Sequence, residues 1–432
     1  MYPETSSRLS WQAIEQQALH SLADLIRFDT TNPPGNERLA AEYLAARLGE
    51  CGVPAVIREG APTRANLVAR LRGRNSSLPP LLLSSHTDVV PVELQRWSRS
   101  PFGGETAEGC IWGRGALDMK SKSAMDLVVM TALARAGAVP ERDLIMAAVA
   151  DEEAGSDYGA RFLVERHPEL VRAGYVLNEV GGFTSHLGDR RYYPIQIAEK
   201  GYVTVKMKLS GSSSHGSMPR TDSAIVRLAG MITKLAHTPM RLNPTPLVRE
   251  TFAVLGLPVD DPLPLFRPML ANTVTPTMMQ SGYKDNVVPG EAWVVLDGRT
   301  LPGENPESLM AELREIVGPE PQFELMKTAP PVESRCDTPL YELIRERLEA
   351  ADPGAQALPW MIPGATDNKH YARLGATCYG FSPVKLGAQT PFGALYHSHD
   401  ERIPIDGFLW GLRLYADVVL TFLGLGFDQL FC

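Results

Sequence analysis

Three short apolar runs of this chain each end in a polar group that contains histidine or carboxylate side chains. The runs and their polar ends are Leu81–Ser85 before His86-Thr87-Asp88, Leu144–Ala150 before Asp151-Glu152-Glu153, and Tyr175–Leu177 before Asn178-Glu179. Runs of this length and composition are typical of buried strands in a parallel sheet. Open α/β sheets bind ligands outside the carboxyl ends of their strands, so the three polar groups are expected at one edge of the sheet.

Two further segments carry the same residue types. Asp118 stands in the glycine-rich segment Gly113–Lys120, and the segment His397-Ser398-His399-Asp400-Glu401 lies near the end of the chain. On an extended segment His397 and His399 would face the same side, so their spacing does not choose between them. Two histidines and three carboxylates, without a thiolate, suit zinc, cobalt or manganese bound through nitrogen and oxygen.

Such a ligand set indicates two metal ions. A single catalytic zinc usually takes three protein ligands and a water, so five ligands are too many for one ion. They suffice for two ions if one carboxylate bridges, and ions about 3.5–4 Å apart can activate a water and polarise a carbonyl. The adjacent Glu152 and Glu153 offer one metal ligand and one general base for the proton of that water. Asp88 is placed to hold the other ring nitrogen of His86.

Length, charge and cysteine content exclude several classes of protein. The 432 residues exceed the usual size of one domain and favour two. The net charge of −8 disfavours nucleic acid and anionic membranes as partners. The five cysteines are scattered and form no Cys-x-x-Cys pair, so we expect no disulfide framework and a reducing compartment.

No segment of the sequence reads as a membrane span or a secretion signal. The N-terminal residues lack the basic stretch and the apolar core of a signal peptide. The most apolar long run, Phe408–Leu425, is interrupted by Arg413 and Asp417. It therefore fits a packed helix better than a span, which needs about 20 apolar residues. We expect a cytoplasmic protein.

The order of the runs predicts a fold with an insertion. Strand-like and helix-like runs alternate through the first 198 residues, which predicts a mixed, mainly parallel sheet with helices on both faces. Tyr202–Leu209 alternates in the manner of a half-exposed strand. A helix, two strands, a helix and a strand follow, which indicates an α+β sandwich. We predict one domain from residues 1–198 and 329–432, with residues 199–328 inserted into it.

The chain resembles the di-zinc metallopeptidase and deacylase family that includes aminoacylase, acetylornithine deacetylase, succinyl-diaminopimelate desuccinylase and glutamate carboxypeptidase. The resemblance rests on motifs in family order, namely SSHTDVVP, GRGALDMK, ADEEAGS, NEVGG, SSSHGSMP, DNVVPG, LDGRT, PGATDNKHY and HSHDERI. It covers nearly the whole chain. It implies a zinc-peptidase-like sheet in the first domain and a lid in the inserted one, through which two subunits form a homodimer.

The resemblance also implies how the metals are held. His86 and Glu179 would hold one ion, and Glu153 and His399 the other, with Asp118 as the bridge. The implied cofactor is two divalent metal ions per chain, zinc first and cobalt or manganese as alternatives. Of the two neighbouring histidines, the family pattern favours His399.

Other residues receive roles through the same resemblance. Glu152 would be the general base, and Asp88 would orient a metal-binding histidine. His215 matches a histidine that reaches from the partner subunit's lid to the scissile carbonyl, while Asn286 and Arg299 match lid residues that engage the free carboxylate of the substrate.

One residue of the implied substrate site departs from the family. Lys369 stands where aminoacylase-like members often have arginine. A lysine cannot grip a carboxylate as a two-pronged fork, which puts carboxylate recognition at this position in question.

The function implied is hydrolysis of an amide bond in N-acyl amino acids or small peptides, next to a free carboxylate. A di- or aminopeptidase on the same two-metal site is the alternative among enzymes. A binding or scaffolding protein that keeps metals for stability is the alternative outside them. The intact set of ligands together with Glu152 argues against the latter, and we expect small-molecule substrates.

Overall fold

The computed structural model describes residues 8–389 and 392–432. The chain divides into two compact units. The larger contains the residues up to Ile197, Ser334–Pro359 and Thr366–Cys432, and the smaller contains Ala198–Glu333 and Trp360–Ala365. The smaller unit thus extends beyond the predicted 199–328. It gains a short strand at Val332–Glu333 and a segment that returns much later in the sequence.

Strands and helices alternate through most of the chain. The strands are β1 (Ala55–Ala61), β2 (Arg64–Leu71), β3 (Leu81–His86), β4 (Glu105–Ala107), β5 (Cys110–Trp112), β6 (Leu144–Val149), β7 (Tyr175–Asn178), β8 (Ser185–Leu187), β9 (Arg190–Glu199), β10 (Gly201–Ser210), β11 (Ser214–His215), β12 (Thr273–Ser281), β13 (Val287–Val288), β14 (Glu291–Thr300), β15 (Gln322–Ala329), β16 (Val332–Glu333), β17 (Gln356–Ile362), β18 (Thr377–Gly380) and β19 (Arg402–Pro404). The α-helices are α1 (Trp11–Arg27), α2 (Arg38–Gly49), α3 (Lys120–Arg135), α4 (Ala160–Arg166), α5 (Pro168–Val171), α6 (Ala224–His237), α7 (Pro246–Leu255), α8 (Pro306–Val317), α9 (Pro339–Ala351), α10 (Asn368–Tyr371), α11 (Phe392–Leu395), α12 (Ile405–Phe422) and α13 (Phe427–Leu430).

A mixed sheet forms the centre of the larger unit. Its strand order is β1-β2-β6-β3-β7-β18-β9, in which β6, β3, β7 and β18 pair in parallel and the flanking strands are antiparallel. Every residue of β3 and β6 is buried, as expected for strands covered on both faces. The predicted mixed sheet with a parallel core is confirmed.

Helices cover both faces of this sheet because alternate strand residues point to opposite sides. On one face, Leu82, Ile145 and Val176 pack against Leu163 of α4 and Val171 of α5. On the other face, α3 contacts β3 and β6 and is itself packed against α1 and α12. The parallel strands β3, β6 and β7 consequently end at one edge, immediately before the predicted site residues.

The smaller unit contains an antiparallel sheet with the order β12-β14-β10-β15. In β10, Val203, Val205, Met207 and Leu209 are buried and the residues between them are half-exposed. The buried side chains pack against α6 and α8, which lie on that face of the sheet. A separate two-stranded pair, β11 with β13, carries His215.

The described helices and cysteines can be compared with the features of membrane spans and disulfides. Within residues 8–389 and 392–432, no helix combines the length and the apolar character needed to cross a membrane. All five cysteines fall in these ranges and none of them forms a disulfide there, and Cys378 is the buried one.

Candidate metal centre

The ends of three parallel strands bring four candidate ligands together. His86 is the last residue of β3, and Glu179 follows β7 directly. Glu152 and Glu153 form a single 3₁₀ turn that follows β6, flanked by the left-handed residues Asp151 and Gly155. The backbone N–H of Ser156 bonds to the carbonyl of Asp151 across this turn, so both glutamates stay next to the end of β6.

Asp118 reaches the same place from the loop that precedes α3. One of its oxygens, Oδ1, lies 3.0 Å from His86 Nε2, and Glu179 Oε2 lies 3.7 Å from the same nitrogen. Ligand atoms of His86, Asp118 and Glu153 lie within 4.8 Å of one another, as do those of His86, Glu152 and Glu179. Both groups are of the size that a bound cation requires.

The structure places His397, not His399, at this centre. His397 Nε2 lies 3.1 Å from Asp118 Oδ2 and 3.1 Å from Glu153 Oε1. His399 is exposed and makes no side-chain hydrogen bond or ion pair within the described ranges. The prediction of His399 is therefore corrected. Its premise of an extended segment is wrong, because His397 and Asp400 have φ of 58° and 59° and the chain turns between them.

Asp118 has the position of a bridging ligand. Its Oδ1 approaches His86 and its Oδ2 approaches His397, so each oxygen serves one histidine. These two hydrogen bonds hold the pKa of Asp118 well below its usual range although burial opposes them. A carboxylate that stays ionised between two histidines is suited to join two cations.

The centre holds more buried negative charge than its own residues neutralise. Burial and the nearby Asp118 raise the pKa of Glu153 to about 7. Burial and Glu179 raise the pKa of Glu152 well above its ordinary value. Glu179 Oε1 is buried without a hydrogen-bond partner among the described residues. Unpaired buried carboxylate oxygens are costly, and cations coordinated by them remove that cost. The donor set therefore fits divalent metal ions.

Asp88 binds mainly to backbone. Its Oδ1 accepts the N–H of Glu152 and its Oδ2 that of Glu153, both at 3.1 Å. His86 Nδ1 is 3.0 Å from the Asp88 carbonyl oxygen and 3.5 Å from the carboxylate. The histidine is thus oriented by the carbonyl more closely than by the carboxylate that was predicted to do so. The carboxylate instead holds the turn with the two glutamates.

A buried polar network stands behind Asp88 and was not predicted. Asn32 donates to Asp88 Oδ2 at 2.8 Å and to Asp151 Oδ1 at 3.0 Å. Arg64 donates to Asp151 at 2.8 Å and binds Glu37 through two nitrogens. The one sequence signal was the position of Asp151 directly before the glutamate pair. The other partners are distant in sequence.

Lys369 lies beside the glutamate proposed as base. Its Nζ is 4.0 Å from Glu152 Oε1 and donates to the Thr366 carbonyl at 2.9 Å. The side chain is buried, 4% exposed, beside this glutamate. The neighbouring Asp367 is buried as well, and burial raises its pKa to about 6. Asp367 was not among the predicted site residues.

Three predicted residues lie in the smaller unit. His215 is exposed on β11, and Asn286 is exposed with its carbonyl accepting the N–H of Gly216. Arg299 is half-buried and forks onto Asp297 at 2.7 and 2.9 Å. Its guanidinium is therefore engaged by a carboxylate of its own unit.

Fold and site together define a metal-dependent hydrolase. Residues 82–421 match the family described as peptidase family M20/M25/M40. The chain belongs to this family, which confirms the resemblance seen in the sequence.

Several curated proteins are similar over most of their length. Probable carboxypeptidase S-like 2 of Dictyostelium discoideum is 27% identical over 82% of this chain and 74% of its own. The N-fatty-acyl-amino acid synthase/hydrolase PM20D1 of Bos taurus is 26% identical over 78% and 73%. Aminoacylase-1 of Mus musculus is 28% identical over 91% and 92%.

Solved structures share the fold. A M20 family metallo-carboxypeptidase, Sso-CP2 from Sulfolobus solfataricus, aligns with a TM-score of 0.75 at 18% identity, over 93% of this chain and 98% of that one. Bacillus subtilis YXEP, described as a dinuclear metal binding peptidase, aligns with a TM-score of 0.64 at 14% identity, over 96% of this chain and 99% of that one.

The first prediction concerns the two histidines. His397→Ala is expected to weaken metal binding at least about 10-fold, since it removes a nitrogen ligand next to Asp118 and Glu153. His399→Ala, the matched control two residues away, is expected to bind metal like the wild type. Chelator competition on both purified variants measures this. Loss of affinity in His399→Ala with none in His397→Ala would restore the sequence-based assignment.

The second prediction concerns pH. In chelated protein the raised pKa of Glu153, about 7, makes the folded state bind more protons than the unfolded chain above pH 4.5. Hydrogen bonds to Asp118 and Glu153 raise the pKa of His397 to about 10. Above pH 6.5, therefore, this histidine also makes the folded state bind more protons than the unfolded chain. The free energy of unfolding should therefore fall between pH 5 and 8.

Urea unfolding of chelated protein at several pH values measures the slope, with zinc-loaded protein as the control. Metal replaces protons at these groups, so the stabilisation by zinc should grow with pH. A chelated protein that becomes more stable from pH 5 to 8 would contradict the arrangement of charges described here.

Proposed function

We propose that this chain hydrolyses the amide bond of N-acyl amino acids or small peptides next to a free carboxylate. The observation that supports it is the position of Asp118 between His86 and His397, with Glu152 beside them and not bonded to either histidine. Zinc is the proposed metal, with cobalt or manganese as alternatives for a set of nitrogen and oxygen donors.

The proposed ligand sets follow the contacts. His86 and Glu179 would hold one ion, Glu153 and His397 would hold the other, and Asp118 would contribute to both. Bound there, the ions would supply Lewis-acid chemistry, which polarises a carbonyl and lowers the pKa of a bound water. The protein's own contribution is to keep the side chains of His86, Asp118, Glu153 and Glu179 largely buried and close to His397, whose side chain is 44% exposed.

Glu152 is the proposed general base. Glu153 Oε1 is already taken by His397, whereas Glu152 has Lys369 Nζ at 4.0 Å as its nearest charge partner. Burial and Glu179 raise the pKa of Glu152, which makes its carboxylate a stronger base than a solvated one. It can therefore take the proton of the water and pass it to the leaving nitrogen.

The third prediction tests the substrate class. N-acyl amino acids with short and long acyl groups are screened for hydrolysis with zinc, cobalt or manganese. Each acid is compared with its C-terminal amide. Dipeptides with a free amine are screened in parallel. Hydrolysis of the acids with a loss of at least about 10-fold for the amides is expected. Turnover of free-amine dipeptides alone would favour the di- or aminopeptidase alternative.

The fourth prediction separates the two glutamates. Glu152→Gln should lose about 10²–10⁴-fold in kcat, as loss of a general base does, and keep its metal content. Glu153→Gln is the matched control, with the same change one residue away, and should lose metal. Elemental analysis and steady-state kinetics distinguish them. Near-native kcat in Glu152→Gln would assign the base elsewhere.

His215 is proposed to act across a homodimer formed through the smaller unit. His215 Nδ1 accepts the N–H of Ser217 at 3.2 Å and lies 2.8 Å from the Ser217 hydroxyl. A neutral ring whose Nδ1 is an acceptor carries its proton on Nε2. An exposed Nε2–H donor suits the oxyanion that forms during amide hydrolysis, and such a donor is worth about 3–4 kcal/mol.

The fifth prediction tests supply from the partner. His215→Ala and Glu152→Gln should each be folded, metal-bound and nearly inactive as homodimers. After subunit exchange, each heterodimer has one site with both residues intact, so activity should return to about a quarter of the wild-type level per chain when exchange is statistical. A mixture that forms heterodimers yet stays inactive would exclude the shared site.

A further inference from the structure

Glu401 is fully buried, 0% exposed, and both of its carboxylate oxygens accept hydrogen bonds. Its Oε1 accepts the backbone N–H of Leu117 at 2.8 Å and that of Asp118 at 3.1 Å. Its Oε2 accepts from a guanidinium nitrogen of Arg114 at 2.7 Å. The carboxylate thus holds the loop that presents Asp118.

The same residue ties two chain segments together. Glu401 follows His397 by four residues, and its own carbonyl accepts the N–H of Gly113 at 2.9 Å. Directly after it, β19 pairs with β5 through Arg402 and Trp112. The segment with His397 and the loop with Asp118 are therefore aligned at one point. The two side chains meet at 3.1 Å a short distance away.

Asp88 provides an internal precedent. It also accepts two consecutive backbone N–H groups, those of Glu152 and Glu153, and these two residues are likewise at the metal centre. Two of the ligand-bearing segments are thus held by a buried carboxylate through the backbone. The side chains of the ligands remain available for metal.

We propose that Glu401 is a positioning residue that sets the distance between Asp118 and His397, and thereby the affinity and coordination of the metals they hold. This rests on the proposed two-metal function. The competing explanation is that Glu401 only neutralises the buried Arg114, since a buried ion pair need not have any role at a site.

The two explanations differ in what an amide does. Every partner of the Glu401 carboxylate is a donor, and glutamine has only one acceptor oxygen. In Glu401→Gln, therefore, either the two N–H groups or Arg114 must face the amide NH₂. Adding Arg114→Met removes the donor on one side, so the remaining oxygen can accept both N–H groups again.

The experiment compares Glu401→Gln, Arg114→Met and the double variant. Zinc affinity is measured by chelator competition, and coordination by the visible spectrum of the cobalt-loaded protein. Glu401→Gln should bind metal about 10–100-fold more weakly, the usual effect of losing a residue that orients a ligand, and should alter the cobalt spectrum. The double variant should recover most of the affinity and the spectrum.

Asp143→Asn is the matched control. Asp143 is 9% exposed, accepts the N–H of Gly73 at 2.7 Å through one oxygen and binds Arg70 at 2.7 Å through the other. It precedes β6, at the end of that strand opposite Glu152. The change to asparagine likewise places an amide NH₂ opposite a hydrogen-bond donor, but it does so away from the metal ligands. It should lower the free energy of unfolding and leave metal affinity unchanged.

Hydrogen exchange of the Leu117 and Asp118 amides in chelated protein gives a readout that does not depend on metal. Faster exchange in Glu401→Gln, with recovery in the double variant, supports the positioning role. Wild-type exchange and wild-type metal affinity in Glu401→Gln, beside a lowered unfolding midpoint, would overturn it. If the wild type itself bound no metal, the proposed function would fail instead, while the exchange data would still report on the hydrogen bonds of Glu401.

Discussion

The structure of the larger unit depends on carboxylates that are concentrated in a buried place. Asp118, Glu152, Glu153 and Glu179 meet around His86, at the edge of a sheet whose central strands are fully covered. Charged carboxylates lose several kcal/mol when they leave water unless cations or hydrogen-bond donors replace it. Two histidines supply part of the compensation, and the raised pKa values of Glu152 and Glu153 show that it is incomplete. Binding of cations to these carboxylates is the physical means of completing the compensation.

Two further buried carboxylates, Asp88 and Glu401, are compensated by backbone N–H groups, and these hydrogen bonds also hold the segments that form the centre. Asp88 and Glu401 each take two consecutive amides of a segment that presents ligands. Neither is exposed, and Arg114 balances Glu401 directly, whereas Arg64 is linked to Asp88 through Asp151 and Asn32. A ligand held through its backbone keeps its side-chain oxygens for metal, which a ligand held by side-chain hydrogen bonds does not.

The sequence was sufficient where local pattern decides the structure. The apolar runs at Leu81–Ser85 and Leu144–Ala150 are strands, and the polar residues after them meet because parallel strands end together. Two other strands, Ala55–Ala61 and Arg190–Glu199, were not predicted. Both contain charged residues, and the second contains Pro194, so neither has the uniform apolar character that marked the central strands.

Predictions from the sequence failed where the structure depends on local backbone geometry or on contacts between residues far apart along the chain. The choice between His397 and His399 depended on the backbone, which has a positive φ at His397 and is not extended. The role of Glu401 could not be read from HSHDERI, because its partners lie about 284 residues earlier. Spacing identifies residues that share an element. It carries no information on which remote backbone amides a buried carboxylate will accept.

The adjacency of Glu152 and Glu153 shows how one turn supports two different roles. Both N–H groups are bound by the same carboxylate, so the backbone of the pair is held as a unit. The left-handed Asp151 before the pair and Gly155 after it close a 3₁₀ turn, in which consecutive side chains diverge. One then reaches His397 and the other remains beside Lys369. A single short turn thus separates a ligand from a base without a second element. The left-handed backbone of Asp151 is strained, and the carboxylate of this residue is held by hydrogen bonds from Asn32 and Arg64.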